Sequence, residues 1–573
     1  MSGRKLYVPQ GFEGGSEWVD TKSLHLKLDM ARTRLLVICA TFVLCFIVIV
    51  GRLVEVSLLR GCGDSTLCKT LGCKSYRADI VDRNGELLAT SLKTCSLFAN
   101  AKVVLDAKDA TEKLLQVLPE LNAKDTQQRL ESGKGFVWIA RHLTPQMQAD
   151  IIRLGIPGIY FREDERRVYP HGELFAHVLG YTNIDNEGLG GVERKFNEQL
   201  LSSNEPLSLS IDIRVQHVLR DELLAGIEKF SALGGAGLVM DTRTGEVIAM
   251  VSLPDFDPNQ VNRMGSQKDA LFNKITLGTY EMGSSFKIFN TALYLESGIA
   301  NMYTRFDVTG PLRVGRFKIT DFHPTHHPLT VAEIFTESSN IGAAKMALQM
   351  GSARQQSFFT KLGFYKTPTF EIPEIGSPLY PKQWSEATTI TASYGYGISI
   401  SPLQLLTAFS GVVNYGVMQR PTILKTDMSQ VKDGLRVISV ETSEIMRKLM
   451  YTIVQEGRGR KARVKGYEVG GKTGTANKLV GKSYQEGNNQ TSFVCGFPMS
   501  RPQYSVLIMV DRPQATKETF GFTAAGWNAA PIAGRVIERI APLLQVVPVH
   551  DRKIDNEPNS MVIQVSAQPK RGH

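Results

Sequence analysis

A chain of 573 residues can bury more than one core, and 42% hydrophobic with 21% charged residues is the balance of a folded protein, not a disordered or fibrous one. Its net charge of +10 admits nucleic acid, anionic lipid or an acidic polymer as partner. No zinc spacing, RNA-binding signature or basic helix favours nucleic acid, and none is expected to bind.

The first 34 residues are polar, with several glycines and both signs of charge, and read as a poorly ordered tail. Leu35 to Gly51 carries no charge, and its 17 residues reach about 26 Å as a helix, close to the hydrocarbon thickness of a bilayer. The apolar face continues to Leu59, so residues 35–59 are predicted as one retained transmembrane helix. A cleaved signal peptide fits poorly, because the preceding region is long and no Ala-x-Ala-like site follows. Arg32 and Arg34, with Lys22 and Lys27 behind them, place the tail in the cytoplasm. The bulk of the chain then works outside it. Four of the seven cysteines (Cys62, Cys68, Cys73 and Cys95) follow the span; their spacing matches no zinc framework, and disulfides and free thiols both stay open.

Residues 60–225 are expected to form a non-catalytic module. Residues 60–75 look like a linker. Asn84-Gly85 signals a hairpin turn between apolar flanks. Residues 106–155 show helical periodicity, with Leu114, Leu115, Val117 and Leu118 on one face. Arg166 to Glu193 is dense in Gly, Asn and Asp, and predicts loops and short strands.

Residues 226–547 carry the chemistry. Gly237 to Met250 reads as two strands around a turn at Thr242–Gly245. Ser284-x-x-Lys287 opens an apolar helix running to about Glu296, so hydroxyl and amine share one helix face. Ser338-Ser-Asn340 opens a second helix that ends at Gly351. Lys472-Thr-Gly-Thr475 follows Gly470-Gly471, and two strands (491–497 and 504–510) and a helix (529–544) complete the domain. Helices packed on an antiparallel sheet, with a helical insertion, make an α+β fold. Ser284 is a nucleophile in need of a base, and Lys287, if desolvated near other cations, can supply one. Ser285 would face away from that amine. Ser338 can relay a proton and Asn340 can bond a substrate amide. Lys472 adds positive charge, and Thr473, Gly474 and Thr475 form a strand edge able to bind a carboxylate. The backbone N–H groups of Ser284 and Thr475 suit an oxyanion hole.

Ser-x-x-Lys, Ser-x-Asn and Lys-Thr-Gly, in that order, resemble the motif set of penicillin-binding proteins and class A β-lactamases. Arg77-Ala-Asp-Ile-Val-Asp-Arg-Asn-Gly85, Tyr169-Pro170, His177 to Asp185 and Gly191-Val-Glu193 resemble the pedestal motifs of class B penicillin-binding proteins, with Ala78 where glycine is usual. Tyr394 to Gln404 resembles that family's stretch before Lys-Thr-Gly, and no glycosyltransferase domain precedes the pedestal, unlike class A. Gly-Tyr-Thr-Asn-Ile-Asp185 points to the septal, FtsI-like subtype.

The resemblance implies a membrane-anchored DD-transpeptidase with an elongated α/β pedestal and a transpeptidase domain whose sheet carries helices on both faces. Its substrates would be peptidoglycan stem peptides ending in D-Ala-D-Ala, acylating Ser284 with loss of the terminal D-Ala. β-Lactams would acylate the same serine. It further implies an FtsW-like SEDS glycosyltransferase and other division proteins as partners, a location in the bacterial inner membrane with a periplasmic catalytic domain, and no metal or organic cofactor. Rival readings are an elongation-type transpeptidase, a β-lactamase or DD-carboxypeptidase in which water resolves the acyl-enzyme, and a β-lactam sensor or scaffold.

Three features stay open at this point. His323, His326 and His327 lie in a Pro-rich loop, and a solvated wall is expected over a metal site. The basic run Arg458 to Lys465 is either a solvated loop or a face for an anionic partner. Glu193 either couples pedestal to catalytic domain or is a local hydrogen-bond acceptor. Residues 548–573 read as a polar tail.

Overall fold

The computed structural model describes residues 5–6, 19–54, 76–263, 268–315, 317–427, 429, 431, 433–480 and 483–549. The linker at 60–75, Cys62, Cys68, Cys73 and residues 550–573 lie outside them, while Cys95 is a buried free thiol. The chain divides into two units, Met1–Ser75 and Tyr76–His573.

In the first unit Thr21–Val54 is one helix, and its segment Arg32–Val50 is long and apolar enough to cross a membrane. The helix starts well before Leu35, which corrects the unstructured tail expected over 1–34. Residues 21–34 contain no glycine or proline to stop it. Residues 55–59 of the expected span lie outside the described residues.

The second unit begins with a five-stranded sheet whose spine is Leu87–Ala99. Ile80–Val81 folds back on that spine around Gly85, which sits at φ +92° where glycine is relaxed. Ile159–Val168 runs along one edge of the spine and Val137–Leu143 along the other, and Ile80–Val81 pairs in parallel with Leu207–Ser208. Helices Ala107–Val117, Ala123–Leu130 and Pro145–Arg153 cover one face, setting Leu114, Leu130 and Ile151 against Cys95, Leu97 and Ala99. The helical region expected over 106–155 is therefore interrupted by a strand. Val137–Leu143 (VWIARHL) is β-branched and aromatic, preceded by Gly133 and Gly135, and stopped by the Thr144 N-cap with Pro145 at the first helical position. The Arg166–Glu193 stretch starts inside strand Ile159–Val168 and continues in short helical turns at Gly172–Phe175, Ala176–Leu179 and Gly191–Lys195.

Glu193 is fully buried and accepts Arg77 Nε and Arg167 Nε, each at 2.7 Å. It is a local acceptor that joins two pedestal stretches. In the same turn Gly191 N–H donates to the Glu374 carboxylate of the C-terminal module at 3.2 Å.

The C-terminal module rests on an antiparallel sheet in the order Gly470–Val480, Ser483–Phe497, Tyr504–Asp511, Gly234–Asp241, Val247–Leu253. Pairing of the first hairpin with the last strand leaves Gly470–Val480 on an edge. Both faces are covered, and residues alternate between them. Val506, Ile508 and Val510 meet helices Ile213–Lys229 and Ala529–Leu543, while Leu507 and Met509 meet the helical subdomain. Helix Pro402–Val413, buried throughout and held by a Ser401–Gln404 capping box, lies against that second face.

A boundary at 225/226 would cut helix Ile213–Lys229, which packs on the C-terminal sheet and on Ala529–Leu543. Pedestal side chains such as Ile80, Leu88, Val178 and Leu209 also share one apolar cluster with Leu238 and Phe289 of the C-terminal module. The outer pedestal, around Leu97 and Leu114, keeps a cluster of its own.

Candidate active site

Gly283–Phe286 forms a 3-10 turn that runs into helix Lys287–Glu296. Phe286 locks the turn, its ring centroid 5.8 Å from Phe289, 5.7 Å from Phe359 and 5.3 Å from Phe364. Burial of Phe286 and Ser285 fixes the rotation of the turn. Ser285 Oγ points at Ser492 Oγ, 3.5 Å away on the sheet, and Ser284 is left half-exposed. The two serines face opposite ways.

Lys287 is buried, and its Nζ lies 3.2 Å from Ser284 Oγ. The same nitrogen reaches Ser338 O at 2.6 Å, Ser338 Oγ at 3.2 Å and Asn340 Oδ1 at 2.7 Å. Ser338 sits where helix Val331–Glu337 ends, in the left-handed region at φ 62° and ψ 43°. That bend turns its carbonyl and its hydroxyl toward the lysine. Ser339 then caps helix Asn340–Met350, accepting Gly342 N–H at 2.9 Å. Asn340 gives its oxygen to Lys287 and one N–H to Thr320 O at 3.2 Å, so only its second N–H remains for a ligand.

Lys472 comes from the edge strand and is also buried, with Nζ 2.9 Å from Ser338 Oγ. Thr473 and Thr475 are half-exposed on the opposite face of that strand, and Thr475 Oγ1 accepts Ala525 N–H at 3.2 Å. Gly474 lets the strand lie against the serine turn. A Cβ there would meet Ser492 Oγ at 2.5 Å, Met282 O at 2.6 Å and Ser285 Oγ at 2.6 Å. The structure thus brings together Ser284, Lys287, Ser338, Asn340 and Lys472 around one point, with Thr473, Gly474 and Thr475 alongside.

Two further residues belong here that the sequence reading missed. Asp321 accepts Ser339 Oγ at 2.6 Å and the N–H groups of Asn340 and Ile341 at 2.5 Å and 3.0 Å, fixing the second motif at a helix N-terminus. Arg458, from the basic run, has its Nη2 3.9 Å from Glu337 and is half-buried beside the lysines. The rest of the run fits the solvated loop: Arg460, Lys461, Arg463 and Lys465 are exposed, Lys461 lies 3.6 Å over the Trp527 ring, and Ala462 and Val464 anchor the run in the cluster around Ala529 and Val536. His323, His326 and His327 are exposed, and no group of three or more metal-ligating side chains occurs among the described residues.

Burial is the main cause that holds Lys287 well below the ordinary lysine range, followed by the charges of Lys472 and Arg458, with Asp321 opposing. Burial and then Arg458 bring Lys472 down to about 7, with Glu337 opposing. An amine kept neutral beside a half-exposed serine can take that serine's proton, and Ser338 Oγ connects it to a second amine.

The penicillin binding protein transpeptidase domain matches residues 235–538, and the penicillin-binding protein dimerisation domain matches residues 73–205. A probable peptidoglycan D,D-transpeptidase FtsI of Caulobacter vibrioides is 38% identical over 539 residues, 90% of each chain. The peptidoglycan D,D-transpeptidase FtsI of Escherichia coli is 29% identical over 574 residues, 92% of this chain and 95% of that one. Penicillin binding protein 3 of Mycobacterium tuberculosis, complexed with aztreonam, shares the fold with a TM-score of 0.68 at 22% identity, over 86% of this chain and 99% of that one.

Proposed function

We infer the activity from one premise: this chain belongs to the penicillin-binding proteins, as a class B, FtsI-like member. It is a membrane-anchored peptidoglycan D,D-transpeptidase that cross-links the septal wall and binds β-lactams.

The observation that carries the mechanism is the 3.2 Å contact of Lys287 Nζ with Ser284 Oγ. Neutral Lys287 takes the hydroxyl proton as Ser284 attacks the carbonyl of the penultimate D-Ala. The backbone N–H groups of Ser284 and Thr475 face the developing oxyanion. The tetrahedral intermediate collapses to an ester, and the proton passes through Ser338 Oγ to the departing D-Ala amine. An amine of a neighbouring stem peptide then attacks the ester, gives its proton back along the same route, and frees Ser284. Thr473 and Thr475, at the open edge of the strand, bind the substrate carboxylate. Asn340 holds Lys287 in place and offers its remaining N–H to the substrate amide.

The helix Ile213–Lys229 supports a division into a pedestal of residues 76–212 and a transpeptidase module of 213–547. The span holds the protein in the bacterial inner membrane with both modules in the periplasm, a reading supported by Arg32 and Arg34 before the span. An FtsW-like glycosyltransferase and other division proteins are its partners through span and pedestal. The test is replacement of the cellular protein by Ser284→Ala: septal cross-links should be lost, whereas normal septal cross-linking would mark a scaffold instead of an enzyme.

A further inference from the structure

The covered face of the pedestal sheet packs helices; the other face carries a row of rings. Phe98 on the spine stands in register with Trp138 on one side and Tyr160 on the other. Its centroid is 6.2 Å from Trp138, 5.5 Å from Tyr160 and 4.7 Å from Phe136, which in turn lies 4.8 Å from Trp138. Phe136 and Tyr160 remain 45% and 46% exposed, although aromatic rings are costly to leave in water.

The row does not end in more apolar surface. The Arg141 guanidinium lies 4.7 Å over Trp138 and runs on to Asp164 at 2.7 Å and Asp185 at 3.1 Å. Arg141 is also part of the wall of a cavity of about 700 Å³ between the pedestal and the segment Pro258–Val261 of the C-terminal module. Arg166, Arg167 and Asn186 are among its wall residues. Arg166 and Thr144 are exposed on that wall, and Arg141, Thr182 and Asn183 are half-exposed. The ring row therefore adjoins a recess whose accessible surface carries guanidinium, amide and hydroxyl groups, which donate to and accept from a polyol.

We propose that this ring row and the adjoining cavity form a carbohydrate-binding cleft for the glycan strand of peptidoglycan, separate from the Ser284 centre. A sugar ring has one apolar CH face and a rim of hydroxyls. It matches flat exposed rings that give way to accessible donors and acceptors, whereas a protein segment would call for a more uniformly apolar patch. Arg166, exposed on that wall, can donate to the hydroxyl and amide oxygens of such a strand. A volume of this size holds a ligand of a few sugar units. The choice of this polymer rests on the reading of the protein as a peptidoglycan enzyme.

The test uses the full chain in detergent, its serine first blocked with a β-lactam, and soluble glycan strands stripped of their stem peptides. The wild type should bind the stripped strands. Phe136→Ala/Tyr160→Ala on the ring row and Arg166→Ala on the cavity wall should each weaken binding at least about tenfold. Thermal unfolding and the penicillin acylation of unblocked samples report whether each variant is folded. Absence of wild-type binding to stripped strands would overturn the proposal, as would equal affinity in both folded variants or binding that a β-lactam abolishes. Failure of the enzyme reading would look different, as a wild type that penicillin does not acylate.

Discussion

Lys287 and Lys472 reach for the same atom: their Nζ atoms lie 3.2 Å and 2.9 Å from Ser338 Oγ, and both side chains are buried. Two ammonium groups so close and so desolvated cannot both keep their protons at neutral pH. Lys287, the one next to Ser284, is held well below the ordinary lysine range, and Lys472 is brought down to about 7. The backbone of Ser338 holds the bridge from the left-handed region, at a cost of about 1–3 kcal/mol for a non-glycine residue.

Removal of the base should slow acylation without unfolding the site. Lys287→Ala is expected to lower the second-order rate with a fluorescent penicillin by about 10²–10⁴-fold. Lys287→Arg should fare no better, since a guanidinium stays charged. A rate within threefold of wild type in either variant would rule out Lys287 as the base.

The pH dependence follows from the same burial. A lysine with a lowered pKa is neutral above that pKa and protonated below it. Acylation should therefore fall as pH drops through the titration of the pair, with Lys472 at about 7 marking the region. Arg458 is one of the charges that lower both lysines. Arg458→Gln should raise both, and move the acid limb of the pH–rate profile to higher pH. A limb that stays where it was would show that Arg458 does not couple to the lysines.

The edge strand tolerates no side chain at position 474. Gly474→Ala drives a methyl into Met282 O and the hydroxyls of Ser285 and Ser492. It should cost about 1–3 kcal/mol and also lower acylation, because relief requires the strand and the serine turn to part. Thermal unfolding and acylation rate should fall together; a variant unchanged in both contradicts the packing.

The pedestal has its own test. Glu193 is the shared counter-charge of Arg77 and Arg167, all three buried. Glu193→Gln leaves two guanidinium groups without it and should destabilise the protein by about 3–5 kcal/mol. Denaturant unfolding that shows a loss under about 1 kcal/mol would mean that the arginines find other partners.

Ser284 and the four residues around it were legible because each motif is local. Helix spacing puts Ser284 and Lys287 on one face, and the order of the three motifs did the rest. Asp321 and Arg458 were not legible, for a physical reason. Asp321 acts on a helix that starts 19 residues later, and no periodicity marks the loop between. Arg458 looked like one charge in a solvated run, and the run's other basic residues are exposed; only the fold half-buries Arg458 near Glu337 and the two lysines. The edge position of Lys472 depended on a pairing between strands far apart in the chain, which composition does not encode. In the pedestal, strand Val137–Leu143 was hidden inside a region of helical periodicity, because a half-buried strand of seven residues is too short to establish its own period.

A penicilloyl ester on Ser284 that water resolves slowly is the expected product of the arrangement. The most direct measurement is a time course of intact protein mass after reaction with penicillin, followed by mapping of the modified peptide. One adduct, on Ser284, that persists for many times the acylation time is the predicted result, and it should survive Ser285→Ala. Rapid return to the unmodified mass, or an adduct on Ser285 or Ser338, would contradict it.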